Sequence, residues 1–334
     1  MLRLFIACVL AASVLFGVPG RAHAAAANLK LGTLAPKESV WGKVFSAWAK
    51  AVDEESKGAL TMTWYWNGTQ GDETEMIGKV RSKQIDGGAF TASGLSQINP
   101  NIIALQMPGL FAGWTKLDAA RDRVRTKLDA GFDAAGFRIL GTGDVGVAHY
   151  MSRGRPVRSP DDLKSMHTFF ISGDVVNQKI LETAGVSAPR ALGVPEILPA
   201  LSARTMGAID VLDTSPLAAE QLQWAAQVDH ITTMPTTFDI GALVIDKRSY
   251  AALPADARAV LDRTAANTGK ILTARIRGLD QAAYERIKKT KQVVDRTPTE
   301  IAAWNAVFSK VRTSLRTEGK VNPELFDEIV AAAR

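Results

Sequence analysis

Hydrophobic periods of two and of about 3.6 residues alternate along this chain, and the alternation restricts it to a sheet covered by helices. Leu29-Lys30-Leu31-Gly32-Thr33 has a strand pattern, and Val40, Val44, Phe45, Trp48 and Val52 then share one helical face, which makes a βα unit. The unit recurs with a strand at 60–66 and a helix at 73–83. It recurs again with a strand at 85–90, a long helix at 114–135 and a strand at 137–140.

A second set follows the glycine-rich 141–146. Strand patterns at 148–152 and 167–171 lead to a helix at 174–184, a helix at 196–204, a strand at 207–212 and a helix at 217–226. Residues 231–246 read as extended structure interrupted by Pro235. A helical pattern then runs from 254 to 291, beyond the usual roughly 8–20 residues, with Gly269 and Gly278 as bend points. A helix of that length can bridge two domains. Residues 299–319 and 323–333 are helical, punctuated by Pro298 and Pro323.

The first 24 residues stand apart. Arg3, an apolar run over 4–18 and the small-residue site Ala22-His23-Ala24 have the layout of a cleaved secretory signal, and the apolar run is short against the roughly 20 residues of a spanning helix. Export to the periplasm is expected. Cys8, the sole cysteine, lies inside this leader, so disulfide and thiol chemistry are excluded from the remaining 310 residues. Removing Arg3 and Arg21 lowers the formal net charge from +6 to +4, too little to argue for nucleic acid. A chain of this size exceeds what one core usually supports, so two domains are expected.

Gly141-Thr142-Gly143-Asp144-Val145-Gly146 matches G-x-G-x-x-G, but it leads into a β pattern where a phosphate-binding loop must open a helix. A flexible crossover between domains is the better reading. His149, His167 and His230 have no metal-ligand spacing, and no G-x-S-x-G elbow occurs, so neither a metal nor a cofactor is expected. Aromatic residues cluster after strands: Trp41, Tyr65 with Trp66, and Phe169 with Phe170. In an open α/β sheet the crevice lies outside the carboxyl ends of the strands, where such residues line a ligand site or simply fill the core.

Several segments, in order, resemble one family: the solute receptors of tripartite ATP-independent periplasmic (TRAP) transporters, DctP type. They are Asn67-Gly68-Thr69-Gln70-Gly71-Asp72-Glu73, Val80-Arg81-Ser82-Lys83-Gln84-Ile85-Asp86, Pro100, Met107-Pro108-Gly109-Leu110-Phe111, Ser159-Pro160-Asp161-Asp162-Leu163-Lys164, Ala200-Leu201, Ala208-Ile209-Asp210 and Leu253-Pro254. The resemblance implies a two-domain α/β solute-binding (Venus-flytrap) fold with crossing segments and a long bridging helix. Domain I is expected over 25–147 plus roughly 232–265, and domain II with C-terminal helices over 148–231 plus roughly 266–334. It further implies one small-molecule solute, delivered to small and large TRAP membrane subunits under an ion gradient, and no enzymatic activity.

The chain departs from the family at the ligand anchor. Members resemble "D-L-K-G-x-K-I-R", whose arginine fixes a carboxylate; here Phe169 takes that position, Ala148 stands where some members carry a second arginine, and Asp213-Thr214 replace a polar pair. A bidentate guanidinium supplies two charge-assisted bonds of about 1.5–3 kcal/mol each, and an enclosed carboxylate without a partner loses several kcal/mol of hydration. Phe169 offers only apolar area and a π face, which suits a neutral or hydrophobic solute or, with Asp213, a cation.

The candidate ligand-binding residues are Lys37 and Trp41, Trp66 and Asn67, Thr91 and Ser93, Phe169 and Phe170 as apolar wall, and Asp213, Thr214 and His149 as polar contacts. Lys37 or His167 could receive an anion from another direction. Two other readings remain at this point: an exported enzyme pairing Asp213 with His149 or His167, and a shuttle for lipid-like molecules.

Overall fold

The computed structural model describes residues 26–203 and 208–333, so the expected leader lies outside the described residues. Among the described residues nine strands occur: β1 (Ala27–Thr33), β2 (Leu60–Tyr65), β3 (Gly87–Thr91), β4 (Phe137–Ser152), β5 (Phe169–Ile171), β6 (Arg190–Leu192), β7 (Val211–Thr214), β8 (His230–Asp246) and β9 (Gln292–Val294). The helices are α1 (Val40–Glu55), α2 (Glu73–Arg81), α3 (Ala92–Ser96), α4 (Trp114–Ala134), α5 (Val175–Thr183), α6 (Val194–Ser202), α7 (Pro216–Gln221), α8 (Lys247–Ala252), α9 (Ala255–Thr290), α10 (Pro298–Thr317) and α11 (Pro323–Ala333).

The main sheet has the order β2-β1-β3-β8-β4-β7, with β9 on β8, and β5 pairs with β6 apart from it. Two long strands organise it. β4 and β8 run antiparallel from Phe137 opposite Asp246 to Ser152 opposite His230. β3 joins β8 at residues 241–245, and β1 and β2 continue from it in parallel. At the far ends of the long strands, β7 joins β4 at 149–152 and β9 joins β8 at 230–232. The predicted α/β alternation is therefore observed, with two strands serving both groups.

Both long strands cross sequence that reads as a break. Pro235 lies between the β9 and β3 pairings, where one edge of β8 has no neighbouring strand, and opposite His149 where the β4 ladder shifts register, places at which a strand tolerates proline. The glycines at 141–146 are not a flexible crossover; they belong to β4, which carries several register shifts. Their lack of side chains lets α9 lie against the strand. A Cβ on Gly141 would stand 2.8 Å from the Ala265 carbonyl oxygen, and one on Gly269 would stand 2.7 Å from that of Thr142. Gly146 at φ +145° adopts a conformation that glycine alone accepts readily.

Local signals explain the element starts. Ser39 Oγ accepts from Gly42 N at 3.1 Å to cap α1, and Asp72 with Glu75 forms a reciprocal capping box on α2. The apolar face of α1 buries Val44, Phe45, Trp48 and Val52. They share a core with β1, β2 and α9, while α2, α4, α10 and α11 enclose a second core. α9 is one continuous helix through Gly269 and Gly278, about 54 Å long at 1.5 Å per residue.

Candidate functional site

β1 ends at Thr33, β3 at Thr91 and β7 at Thr214, and all three carboxyl ends open on one cavity of about 170 Å³. Trp41, Phe45, Glu73 and Ser93 line one side. Asp174, Asn177, Asp213, Thr214, Leu222 and Trp224 line the other, and β4 and β8 supply Gly143, Asp144, Thr237, Asp239 and Gly241 between them. The cavity thus lies where the two groups of elements meet along the long strands.

The charged lining residues are all acids: Glu73, Asp144, Asp174, Asp213 and Asp239; no lysine, arginine or histidine lines the cavity among the described residues. Asp144 is neutralised. Its carboxylate meets Arg121 at 2.5 Å and Arg277 at 2.7 Å, and Arg277 also holds Asp118 bidentately at 2.6 and 2.7 Å. Glu73 is satisfied differently, accepting from the Thr91 amide (2.8 Å), the Thr91 hydroxyl (2.7 Å) and the Gly94 amide (2.7 Å). Burial pushes its carboxyl up, against these donors.

The other three acids form a connected wall. Asp174 caps α5 by accepting from Val176 N and Asn177 N. Asn177 Nδ2 donates to Asp213 at 3.4 Å, Thr236 Oγ1 donates to Asp213 at 2.6 Å, and Thr237 Oγ1 donates to Asp239 at 2.8 Å. Burial raises Asp213 to about 7, with the Thr236 bond opposing and the charge of Asp174 adding. Burial likewise holds Asp239 well above the ordinary carboxylate range, opposed by Thr237 and reinforced by Asp213 and Asp174. Among the described residues, no group of three such side chains converges tightly enough to hold a metal ion.

Residues 31–317 match the family described as bacterial extracellular solute-binding protein, family 7, the DctP family. The chain belongs to that family. A solute-binding protein of Sulfitobacter sp. (strain NAS-14.1) is 23% identical to this DctP protein over 236 residues, 70% of each chain. Two solved structures share the fold. One is a TRAP periplasmic solute-binding protein of Ralstonia eutropha H16 with bound (S)-2-acetolactate, with a TM-score of 0.83 at 22% identity over 92% of this chain and 98% of that one. The other is the sugar acid binding protein of Advenella mimigardefordensis in complex with galactonate, with a TM-score of 0.83 at 17% identity over 92% and 98%. As a DctP protein it is a solute-binding receptor and not an enzyme.

The DctP fold distributes the eleven candidate residues unevenly. Trp41, Thr91, Ser93, Asp213 and Thr214 line the cavity; the other six do not. Lys37 is exposed on the loop after β1, next to the lining residue Pro36. Trp66 stacks on Trp64 at 5.4 Å, and Asn67 is exposed in a left-handed turn at φ +56°. Phe169 is buried with Met151, Leu192, Ile197 and Leu201 in a third core, and Phe170 is partly buried against the α2/α4 core.

His149 is buried on β4, with Nδ1 2.9 Å from the Thr232 carbonyl oxygen and its ring stacked 4.6 Å from Tyr284. Burial lowers its pKa to about 4, so it is neutral at physiological pH. His167 is exposed and pairs with Asp210 at 2.6 Å. Asp213 hydrogen-bonds to neither histidine, so the acid/base pair of the enzymatic reading is not assembled.

Sequence reasoning passed over Glu73, Asp174, Asn177, Trp224 and Asp239. Asp174 had a visible signal, an acid immediately before a helical pattern, but a cap and a ligand contact look alike in one dimension. Asp239 sits in a strand whose register alone decides which face it meets.

Proposed function

We propose that this DctP receptor serves a TRAP transporter, taking a small solute other than a carboxylate from the periplasm. The solute occupies the cavity between domain I (25–147 plus roughly 232–265) and domain II (148–231 plus roughly 266–334). Residues 1–24 act as a cleaved export signal, and small and large membrane subunits receive the solute.

One observation carries the ligand reading: among the described residues, every charged side chain lining the cavity is acidic. A carboxylate placed there lacks a cationic partner and faces Asp174, Asp213 and Asp239, so it loses hydration without compensation. This separates the receptor from the two similar structures, which were solved with acetolactate and galactonate. The absence of an arginine from the lining among the described residues supports the departure noted at Phe169, although Phe169 is itself buried in a core. Trp41, Thr91, Ser93, Asp213 and Thr214 are the contacts retained from the sequence reading.

Protein isolated gently from periplasm tests this by native mass spectrometry and identification of what copurifies. The expected result is one non-carboxylate solute per chain; acetolactate, galactonate or another carboxylate bound one to one sinks it.

A further inference from the structure

We propose that the solute is a small organic cation, an amine whose ammonium group sits against Asp213 and Asp239 and whose hydrocarbon part lies between Trp41, Phe45 and Trp224. The proposal rests on the receptor reading above and narrows it.

The acids are left uncompensated where the same cavity shows what compensation looks like. Asp144 has two guanidinium partners, whereas Asp174, Asp213 and Asp239 have no lysine, arginine or histidine within 4.0 Å among the described residues. Asp174 and Asp239 each leave one carboxylate oxygen without a hydrogen-bond partner. All three side chains are part-exposed to the cavity, and covering them with a solute is costly unless it pairs with or hydrogen-bonds to them. A bound cation supplies the missing partner.

Two hydroxyl side chains point the same way. Thr214 and Ser93 are 7% and 8% exposed, line the cavity, and have side-chain hydroxyls with no hydrogen-bond partner among the described residues. Each offers lone pairs to a donor-rich head group, and an ammonium brings three N–H donors. The acids sit on three separate elements and do not converge as metal ligands do. Their spread suits a group with several N–H vectors better than a bare divalent ion.

Size and wall chemistry limit the rest. A cavity of about 150 Å³ admits benzene, so about 170 Å³ takes a single ring or a short chain. Trp41, Phe45 and Trp224 present aromatic surface to it, favourable both for hydrocarbon and for a cation at a ring face. The electrostatics add a signature. Asp213 is held at about 7 by burial and by Asp174 across from α5, with Asp239 on β8 also near and buried Arg296 opposing. A cation pulls these carboxylates toward ionisation, so binding expels protons and strengthens as pH rises.

Titration calorimetry tests this with phenethylamine, n-butylamine and putrescine, each beside alcohols and carboxylates of the same skeleton. At least one amine is expected to bind one to one, at least tenfold tighter than its alcohol and carboxylate counterparts. Its affinity should rise about tenfold between pH 6 and pH 8 as a group with pKa near 7 ionises. Asp213→Asn and Asp239→Asn should each weaken it at least tenfold, while Asp161→Asn, which removes an equal charge outside the cavity, changes it less than twofold.

If no amine binds, if alcohols or carboxylates bind equally, or if both cavity variants bind as the wild type does, the cation proposal is overturned. Binding of the alcohols alone overturns it while leaving the receptor reading standing. The receptor reading falls separately, if periplasmic protein carries no solute and no solute competes for the cavity.

Discussion

Asp213 on β7 and Thr236 on β8 share a 2.6 Å hydrogen bond, although β4 lies between their strands in the sheet. The Thr236 hydroxyl also reaches the Ala148 carbonyl oxygen on β4 at 3.2 Å, so one threonine links three strands at the cavity wall. Asp213 is positioned by these contacts and by Asn177, yet none of them carries positive charge. A cavity-lining acid is therefore held in a state that resists ionisation.

That state sets the pH dependence of the empty protein. Asp213 has a folded-state pKa of about 7 against an ordinary 3.8, so between about pH 4 and 7 the folded chain keeps a proton that the unfolded chain has lost. Stability falls as pH rises through that window. Asp213→Asn removes the penalty, since the amide oxygen still accepts from Thr236. Calorimetric melting of solute-free protein should show the variant gaining little at pH 4 and about 2–4 kcal/mol by pH 8. A difference independent of pH refutes the assignment.

Two glycines of α9 should respond in opposite directions. Gly278 has nothing within 4 Å of a hypothetical Cβ, so Gly278→Ala gains helix propensity, about 0.5–1 kcal/mol. At Gly269 the same gain is outweighed by a Cβ 2.7 Å from the Thr142 carbonyl oxygen, a clash with backbone that only separation of α9 from β4 relieves. Gly269→Ala is expected to cost about 1–3 kcal/mol by urea unfolding.

The Asp144 network should be sensitive to loss of one cation. Asp144 has no exposed side-chain surface and depends on Arg121 and Arg277. Arg277→Met keeps the hydrocarbon over Trp114, where the guanidinium now lies 4.4 Å from the ring centroid, but removes the bonds to Asp144 and Asp118. A loss of about 2–4 kcal/mol in urea unfolding is expected. Any cost below 1 kcal/mol would show that Arg121 suffices.

Phe169 should separate packing from recognition. Its ring fills the core beside Leu192 and Ile197, so Phe169→Ala should cost about 3–5 kcal/mol. Affinity for the native solute, measured well below the lowered melting temperature, should change less than threefold because the ring does not line the cavity. A large loss of affinity in folded variant protein would place the side chain in the site.

Much of the fold was legible because periodicity survives without context. The face formed by Val44, Phe45, Trp48 and Val52, and the pattern that became the 36-residue α9, are visible from spacing alone. Pro235 and the glycines at 141–146 misled for one reason: each is a breaker only if the backbone needs a neighbour on the affected side. At Pro235 β8 has an open edge, and at Gly141 the neighbour is a helix that requires the missing side chain.

The sequence by itself determined the α/β class and the family, because these depend on residue identity and order. Only the tertiary structure decided which side chains line the cavity. Thr91 and Asp213, near the carboxyl ends of their strands, reach the cavity, whereas Phe169, the first residue of β5, turns into a core. Tertiary structure also decided which acids are neutralised, since Arg121 and Arg277 come to Asp144 from distant helices and, among the described residues, no arginine forms an ion pair with Asp213. Register and long-range pairing set both outcomes, and neither has a signature in local sequence.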